Sequence, residues 1–249
     1  MQIHSVASSS EGNSTLISNE NTHILIDCGI SLKALTAKLG LETVSQIDAV
    51  FVTHEHGDHI RGIGPFGRKY RDVPVYINEK SYQSCQHQLK NVNHQLIDNE
   101  KPVFVGDFEV RAFNVVHDTA NAYGFFVTDE DLTHLCYLTD TGMITETTRR
   151  YIENADVLFI ESNYDPDGLN EYMGYPNWQK ERIRRTHLSN EQTIDIIREI
   201  GLDKFSRIFM GHLSPRTNRP HWVKASFNMA FPGRSEILQI APTASAIEI

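Results

Sequence analysis

The sequence lacks long apolar runs, and none approaches the ~18 residues that a membrane-spanning helix requires. Its first residues, MQIHSVASSSEGNSTLIS, also lack the basic segment and following apolar stretch of an export signal. Cysteine is scarce: Cys28, Cys85 and Cys136 are far apart, have apolar neighbours and form no CxxC pair. This usage argues against a disulfide framework and favours buried, reduced thiols. We therefore expect a cytoplasmic protein without a membrane span.

No low-complexity segment, long Gly/Ser linker or charge block divides the chain, so we predict one domain over residues 1–249. The net charge of −9 argues against a polyanionic partner, but the charge is unevenly distributed. Residues 60–71 carry four basic side chains and no acid, and residues 175–224 carry ten basic side chains against five acidic ones. A positive rim around an active site would explain both stretches, and so would ordinary solvated helix faces.

Short apolar segments bounded by polar turns predict strands in two clusters. The first contains QIHSVA, STLIS, HILIDCG, IDAVFVT and PVYI, and the second contains FEVRAFNVVHD, YGFFVTDE, THLCYLTD, DVLFIESN and RIFMGHLS. Helices are predicted at SLKALTAKL, NEKSYQSCQHQLK, TETTRRYIENA and SNEQTIDIIREIG. In the last of these, Ser189 is the expected N-cap, Gln192 completes a capping box and Gly201 ends the helix. The pattern favours an α/β fold of two sheets packed face to face with helices outside.

Three histidines and two carboxylates follow the apolar strand IDAVFVT within six positions, in the form HxHxDH. Residues two apart in an extended segment point the same way, so His54 and His56 can bind one metal together. Gly57 permits a turn, after which Asp58 and His59 can face a second metal. Six residues cannot complete two coordination spheres, so further ligands must come from elsewhere in the chain.

Three later segments end apolar strands with suitable ligands: His117 in VVHD, Asp140 in TDTG and His212 in GHLS. A carboxylate can bridge two cations with its two oxygens, so Asp140 can serve both sites. The first metal would then take His54, His56, His117 and Asp140, and the second Asp58, His59, Asp140 and His212. Nitrogen and oxygen ligands suit Zn²⁺ and also accept Mn²⁺ or Fe. Asp140 could instead form a simple Asx-turn, and a lone histidine after a strand is commonly structural.

The order HxHxDH, His, Asp, His resembles that of the metallo-β-lactamase superfamily, and LIDCG resembles the end of its opening hairpins. The resemblance spans roughly residues 5–215. It implies a four-layer αββα sandwich, with two mixed sheets flanked by helices, and a two-metal hydrolytic site.

Differences from several branches of that superfamily narrow the resemblance. Exported β-lactamases carry Cys where this chain has Asp140, and flavo-diiron relatives carry Glu where it has His56. The inserted domain of mRNA 3′-processing and Artemis-type nucleases does not fit in this length, and the long arm of transfer-RNA 3′-endonucleases is not evident.

A bacterial group, the YycJ/WalJ-type hydrolases, is more similar. The segments that carry this resemblance are ASSSEGNS, VTHEHGDHIRGIG, VHDTANAYGF, LTDTG, FIESNYD, HLSNEQT and GHLSPRTN. Ser9 stands where the group's opening SGSxGN signature has Gly, which leaves only the detail of that turn in doubt. The resemblance implies a 5′-to-3′ exonuclease with DNA or RNA as its substrate. We infer no obligate protein partner from the sequence.

The same resemblance suggests roles outside the metal ligands. His187 in THLSNEQT matches the histidine that related phosphodiesterases place near the scissile bond, and Glu161 in FIESN could orient it. The alternative is that His187 merely precedes a helix. Composition alone suggests four phosphate-binding candidates, Arg61, Arg68, Arg184 and Arg185.

The mechanistic hypothesis is in-line attack on phosphorus by a hydroxide bridging two divalent cations. Asp58 would accept the water proton, and His187 would stabilise or protonate the departing oxygen. A glyoxalase II-like thioester hydrolase or a lactonase shares every ligand and remains the alternative. The third hypothesis is a non-catalytic metal- or nucleic-acid-binding module. The complete set of candidate ligands argues against it.

Overall fold

Two seven-stranded β-sheets pack face to face in the computed structural model, which describes all 249 residues. The strands are β1 (Gln2–Ser9), β2 (Gly12–Ser18), β3 (His23–Ile26), β4 (Ala49–Phe51), β5 (Val75–Ile77), β6 (His94–Leu96), β7 (Pro102–Val105), β8 (Phe108–Val115), β9 (Ala122–Thr128), β10 (His134–Leu138), β11 (Val157–Glu161), β12 (Arg207–Gly211), β13 (Leu238–Ile240) and β14 (Ile247–Glu248). The first sheet has the order β14-β1-β2-β3-β4-β5-β6, and the second has the order β13-β12-β11-β10-β9-β8-β7.

Both sheets are mixed in the same way. Four neighbouring antiparallel strands, β14-β1-β2-β3 in one sheet and β7-β8-β9-β10 in the other, lead into parallel neighbours. In the first sheet β4, β5 and β6 continue the parallel part, and in the second β11, β12 and β13 do so. The carboxyl ends of the parallel strands therefore meet at one edge of each sheet, where loops can collect functional side chains.

Helices cover the two outer faces. They are α1 (Leu32–Leu39), α2 (Leu41–Ser45), α3 (Gly57–Ile60), α4 (Ile63–Lys69), α5 (Glu79–Cys85), α6 (Glu146–Glu153), α7 (Pro166–Glu171), α8 (Asn177–Thr186), α9 (Asn190–Ile200) and α10 (Pro220–Ala230). The four-layer αββα prediction is confirmed. No helix is long and apolar enough to cross a bilayer.

Strand β11 shows how the sequence builds these layers. Its residues VLFIE are all buried, so it lacks the alternation of a half-exposed strand. Val157 and Phe159 point into the core between the sheets, where Phe159 stacks on Tyr137. Leu158 and Ile160 point the other way, into the core beneath α6, α9 and α10. A continuous apolar run is what a strand covered on both faces requires.

The predicted helix ends are confirmed at α9, where Ser189 and Gln192 form a reciprocal capping box and Gly201 follows the last turn. Other boundaries differ. The helix predicted over residues 78–90 ends at Cys85, and the strand predicted through residue 29 ends at Ile26. It ends there because Asp27 takes a left-handed backbone conformation (φ 59°), which turns the chain out of the sheet. The basic segment 60–71 contains the whole of α4 and the last residue of α3.

Two loops, one after β3 and one after β4, are hydrogen-bonded to each other beside these strand ends. Cys28 N–H donates to the His59 carbonyl at 2.9 Å, and Gly62 N–H donates to the Cys28 carbonyl at 2.7 Å. Gly29 lies so close to the second loop that a Cβ there would stand 1.6 Å from the Asp58 carbonyl oxygen. Gly57, by contrast, opens α3 without a positive φ, and a Cβ there would meet nothing within 4 Å. The chain turns after Gly57, as predicted, but nothing at that position requires glycine, and Gly29 is the glycine that the packing requires.

Replacing Gly29 by Ala should push the two loops apart. We expect Gly29→Ala to lower the free energy of unfolding by about 1–3 kcal/mol, the usual cost of overpacking. Gly57→Ala is the matched control and should leave it within about 0.5 kcal/mol of the parent, as open surface positions do. Urea unfolding of both variants measures the difference. Equal stability of the two would contradict the close approach.

Candidate metal centre

The predicted metal ligands converge at the edge where the carboxyl ends of both sheets meet. Each follows a strand: His54, His56, Asp58 and His59 come after β4, His117 after β8, Asp140 after β10 and His212 after β12. Four of their side chains, those of His54, His59, Asp140 and His212, are fully or almost fully buried. Residues up to 158 positions apart in sequence thus meet in one cluster, as the strand-end pattern predicted.

One group of three imidazoles forms the first half of the cluster. The ring centroid of His54 lies 4.7 Å from that of His56 and 5.1 Å from that of His117, and the last two are 5.2 Å apart. One nitrogen from each ring lies within 4.8 Å of the others. Three nitrogens at this spacing can point at a common cation.

A second group contains Asp58, His59 and His212, whose donor atoms also lie within 4.8 Å of one another. Asp58 Oδ2 is 3.5 Å from His59 Nε2 and 3.8 Å from His212 Nε2. This group mixes imidazole with one carboxylate, a ligand set that transition metals accept.

Asp140 lies between the two groups. Its Oδ1 is 3.5 Å from His117 Nε2 and 3.4 Å from His212 Nε2, and its Oδ2 is 3.2 Å from His59 Nε2. Its backbone is left-handed (φ 52°), a conformation that Asp adopts more readily than most residues. The carboxylate therefore contacts imidazoles of both halves.

Three buried polar atoms in the cluster form no hydrogen bond: His54 Nε2, Asp140 Oδ2 and His212 Nε2. Buried polar atoms in proteins nearly always form a hydrogen bond, so three unsatisfied atoms in one cluster indicate a missing partner. A divalent cation is the partner that nitrogen and carboxylate donors share. The residues present therefore fit metal binding.

The charges at the centre support the same fit. Burial opposes a charged His212 imidazole, but the carboxylates of Asp140, Asp58 and Glu161 together outweigh it and raise the pKa of His212 to about 10. Burial likewise opposes charge on His59, but Asp140 and Asp27 raise its pKa well above the usual value. The buried carboxylates thus stabilise positive charge at this point. Burial lowers the pKa of His54 well below its usual value and keeps that ring neutral, the form that binds metals.

Neighbouring groups fix which nitrogen of each imidazole faces the centre. His59 Nδ1 lies 2.7 Å from Asp27 Oδ2, and His117 Nδ1 lies 3.0 Å from the Thr186 carbonyl oxygen. Each contact engages Nδ1 and leaves Nε2 for a metal. The sequence reasoning missed Asp27, although it follows an apolar strand as Asp140 does. That carboxylate also accepts hydrogen bonds from the Thr53 N–H and hydroxyl, at 2.9 Å each.

His187 and Glu161 lie together at the rim of the cluster. His187 Nδ1 is 2.9 Å from Glu161 Oε2, and His212 Nδ1 is 3.4 Å from the same oxygen. The other oxygen, Oε1, accepts the Thr141 N–H at 2.6 Å. Glu161 is fully buried, and its contact with His212 as well as His187 was not anticipated. His187 also lies within reach of Asp140, 3.9 Å from Nδ1 to Oδ1.

The N-terminal hairpin closes the opposite side. The Asn13 amide donates to the Ser9 carbonyl at 3.0 Å and to Asp58 Oδ2 at 3.3 Å. Ser9 itself belongs to β1, and its hydroxyl accepts the Glu11 N–H at 3.2 Å. Its backbone is not left-handed, so the turn does not require the glycine of the related signature.

The four candidate arginines are not equivalent. Arg61 Nη1 donates to the Glu11 carbonyl, Arg184 pairs with Glu181, and Arg68 forms no ion pair. Arg185 lines a cavity that also includes His117. The same cavity contains Arg182, which sequence reasoning did not single out. Composition could not distinguish Arg184 from Arg185, because only the helix α8 turns the two neighbours in different directions.

Comparison with known proteins gives matches over most of the chain. A family model described as "Beta-lactamase superfamily domain" matches residues 22–212. Exodeoxyribonuclease YycJ of Bacillus anthracis is 32% identical over 89% of this chain and 85% of its own. Exodeoxyribonuclease WalJ of Streptococcus pneumoniae is 34% identical over 86% of this chain and 81% of its own.

Among solved structures, the metallo-β-lactamase fold protein YhfI of Bacillus subtilis superposes with a TM-score of 0.77 at 19% identity and covers 99% of both chains. That likeness concerns the fold. Together with the family match and the two relatives, it shows that the chain belongs to the β-lactamase superfamily, in the group of the YycJ- and WalJ-type proteins.

Proposed function

We propose that the protein is a metal-dependent phosphodiesterase that degrades nucleic acid with two divalent cations, Zn²⁺, Mn²⁺ or Fe, and that DNA cleaved from the 5′ end is its substrate. The placement of Asp140 between two groups of imidazoles carries the proposal of two cations. The names of the relatives at 32–34% identity support a DNA substrate and exonuclease action.

The candidate ligands divide into two sets, one for each cation. His54, His56 and His117 would hold one cation, Asp58, His59 and His212 the other, and Asp140 both. Cations bound there would supply Lewis-acid activation of water and neutralise charge on the phosphate.

Two groups are suited to moving protons. Asp58 is the carboxylate of the cluster that reaches solvent, with a side chain 21% exposed, and it can accept a proton from the attacking water. His187 can give a proton to the oxygen that leaves phosphorus as the P–O bond breaks. Its Nδ1 is engaged by Glu161, which leaves Nε2 for that transfer.

The surroundings favour a phosphodiester over a small acyl substrate. A thioesterase or lactonase needs an enclosing pocket for its acyl group, whereas the cavity beside His117 is bordered by the exposed side chains of Trp178 and Arg185. Cationic, open walls suit a phosphate chain.

A substrate panel tests the proposed reaction. With Mn²⁺ or Zn²⁺ present, we expect shortening of 5′-labelled single- or double-stranded DNA and turnover of bis-p-nitrophenyl phosphate, and no turnover of a thioester or lactone. RNA in the same panel tests the choice of nucleic acid. Labels at both ends report polarity, because a 5′ exonuclease releases the 5′ label first. Thioester turnover without phosphodiester cleavage would reject the proposal.

Loss of single ligands tests the two-cation arrangement. His56→Ala should remove at least one equivalent of metal and the activity, because His56 belongs only to the first group. Asp140→Ala should remove both equivalents of metal and the activity. Asp140→Asn repeats the test with a residue that tolerates the left-handed backbone. His87→Ala, an exposed histidine far from the cluster, is the control. Elemental analysis of the purified variants measures the stoichiometry, and unchanged metal content in His56→Ala would contradict the assignment.

His187→Ala separates proton transfer from metal binding. The variant should keep its metal and lose turnover by about 10²–10⁴-fold, the usual worth of a positioned acid or base. The loss should be smaller for bis-p-nitrophenyl phosphate, whose departing oxygen needs little protonation. Metal loss equal to that of His56→Ala would make His187 a ligand instead.

A further inference from the structure

An exposed cavity of about 490 Å³ opens beside the proposed metal centre. One wall contains the ligand candidate His117 and its neighbour Asp118, and the other contains Trp178, Arg182 and Arg185 of α8. These three helix residues are spaced four and three apart, so they share one face of the helix. Because His117 belongs both to the cavity wall and to the ligand cluster, the cavity borders the metal centre.

Trp178 lies largely open to solvent, with 68% of the residue exposed. No other aromatic ring stacks on it and no cation lies over it within the structure. A tryptophan face open to solvent offers the sequence-tolerant stacking surface that nucleic-acid-binding proteins present to unpaired bases.

Basic groups accompany this ring. Arg185 is exposed and forms no ion pair; its Nε donates only to the Glu181 carbonyl, at 3.4 Å. Arg182 Nε pairs with Asp118 Oδ2 at 2.5 Å, which neutralises the one acidic group of the cavity. The free guanidinium of Arg185 thus leaves the cavity positive, which suits a phosphate.

Two contacts hold this helix face rigidly against the metal centre. The Arg182–Asp118 pair joins α8 to the loop that carries His117. One turn further along, the Thr186 carbonyl oxygen accepts the hydrogen bond from His117 Nδ1 at 3.0 Å. Trp178 precedes His187 by nine residues, which corresponds to about 13 Å along a helix. A ligand stacked on Trp178 therefore lies a short, fixed distance from the proposed site of cleavage.

We propose that this cavity is a nucleotide subsite in which Trp178 stacks on one unpaired base of the substrate strand and Arg185 contacts its backbone phosphate. The inference rests on the proposed function and extends it, because it names the form of nucleic acid that the site accepts. The base that stacks on Trp178 must be unpaired to reach the ring, so the subsite selects a single-stranded end.

Single abasic residues provide the sharpest test. A series of single-stranded DNA substrates carries one abasic residue at the first, second, third or fourth nucleotide from the 5′ end. In the parent enzyme one of these positions should lower kcat/KM by about 5- to 150-fold, the range expected for losing one stacked base. In Trp178→Ala that substitution should cost little, because the stacking partner is already gone.

Matched variants separate the contribution of the Trp178 ring from other effects of substitution in α8. Trp178→Phe should retain most of the abasic penalty, and Asn177→Ala, a neighbouring exposed residue on α8, should retain all of it. Arg185→Ala should weaken binding of every substrate in the series equally and flatten its salt dependence by about one unit of slope. An abasic penalty of the same size in the parent and in Trp178→Ala overturns the subsite.

A binding measurement keeps the test independent of catalysis. The chain contains two tryptophans, so Trp222→Phe leaves Trp178 as the only indole. Oligothymidylate should quench the fluorescence of this variant, and the same chain with abasic residues throughout should quench it far less. If the parent cleaves no phosphodiester but quenching occurs, the proposed function fails and the subsite stands. If cleavage occurs without quenching or an abasic penalty, the function stands and the subsite fails.

Discussion

The buried carboxylate of Asp140 constrains the whole active edge of this protein. A carboxylate in the interior requires compensating positive charge, and here it lies among the imidazoles of His59, His117 and His212. These residues come from separate strands of both sheets. The face-to-face packing of the sheets therefore has to bring their carboxyl ends together accurately enough to place one carboxylate among three rings. The apolar core between the sheets provides that accuracy, because its aromatic side chains pack against one another.

Backbone conformation at the strand ends belongs to the same constraint. Asp27, Asp140 and His212 all adopt left-handed backbone angles, with φ between 52° and 59°. Such conformations cost about 1–3 kcal/mol each outside glycine and persist where surrounding structure demands them. Each of these residues lies one or two positions after a strand, and the left-handed turn directs its side chain towards the centre. The strain is therefore localised where the donor atoms converge.

Most of the metal centre could be predicted because its residues carry a local signal. HxHxDH, TDTG and GHLS each place a donor just after an apolar strand, and the predicted αββα order brings those strand ends together. Asp27 has the same local signal in LIDCG, but its role depends on Nδ1 of His59 facing it, which only the folded structure defines. The double contact of Glu161 with His187 and His212 is tertiary in the same sense.

The basic residues show where sequence reasoning reached its limit. Arg184 and Arg185 are adjacent in sequence, yet the helix turns one towards Glu181 and the other towards the cavity beside His117. The segment that contains them was not recognised as a helix, so the shared face of Trp178, Arg182 and Arg185 could not be seen. Once α8 is present, its placement follows from the site itself. His117 needs an acceptor for Nδ1 to present Nε2 to a metal, and the carbonyl of Thr186 in the last turn of α8 is that acceptor. The hydrogen bond that orients a metal ligand therefore also positions the helix that faces the substrate, so changes in α8 affect the metal centre and the neighbouring cavity together.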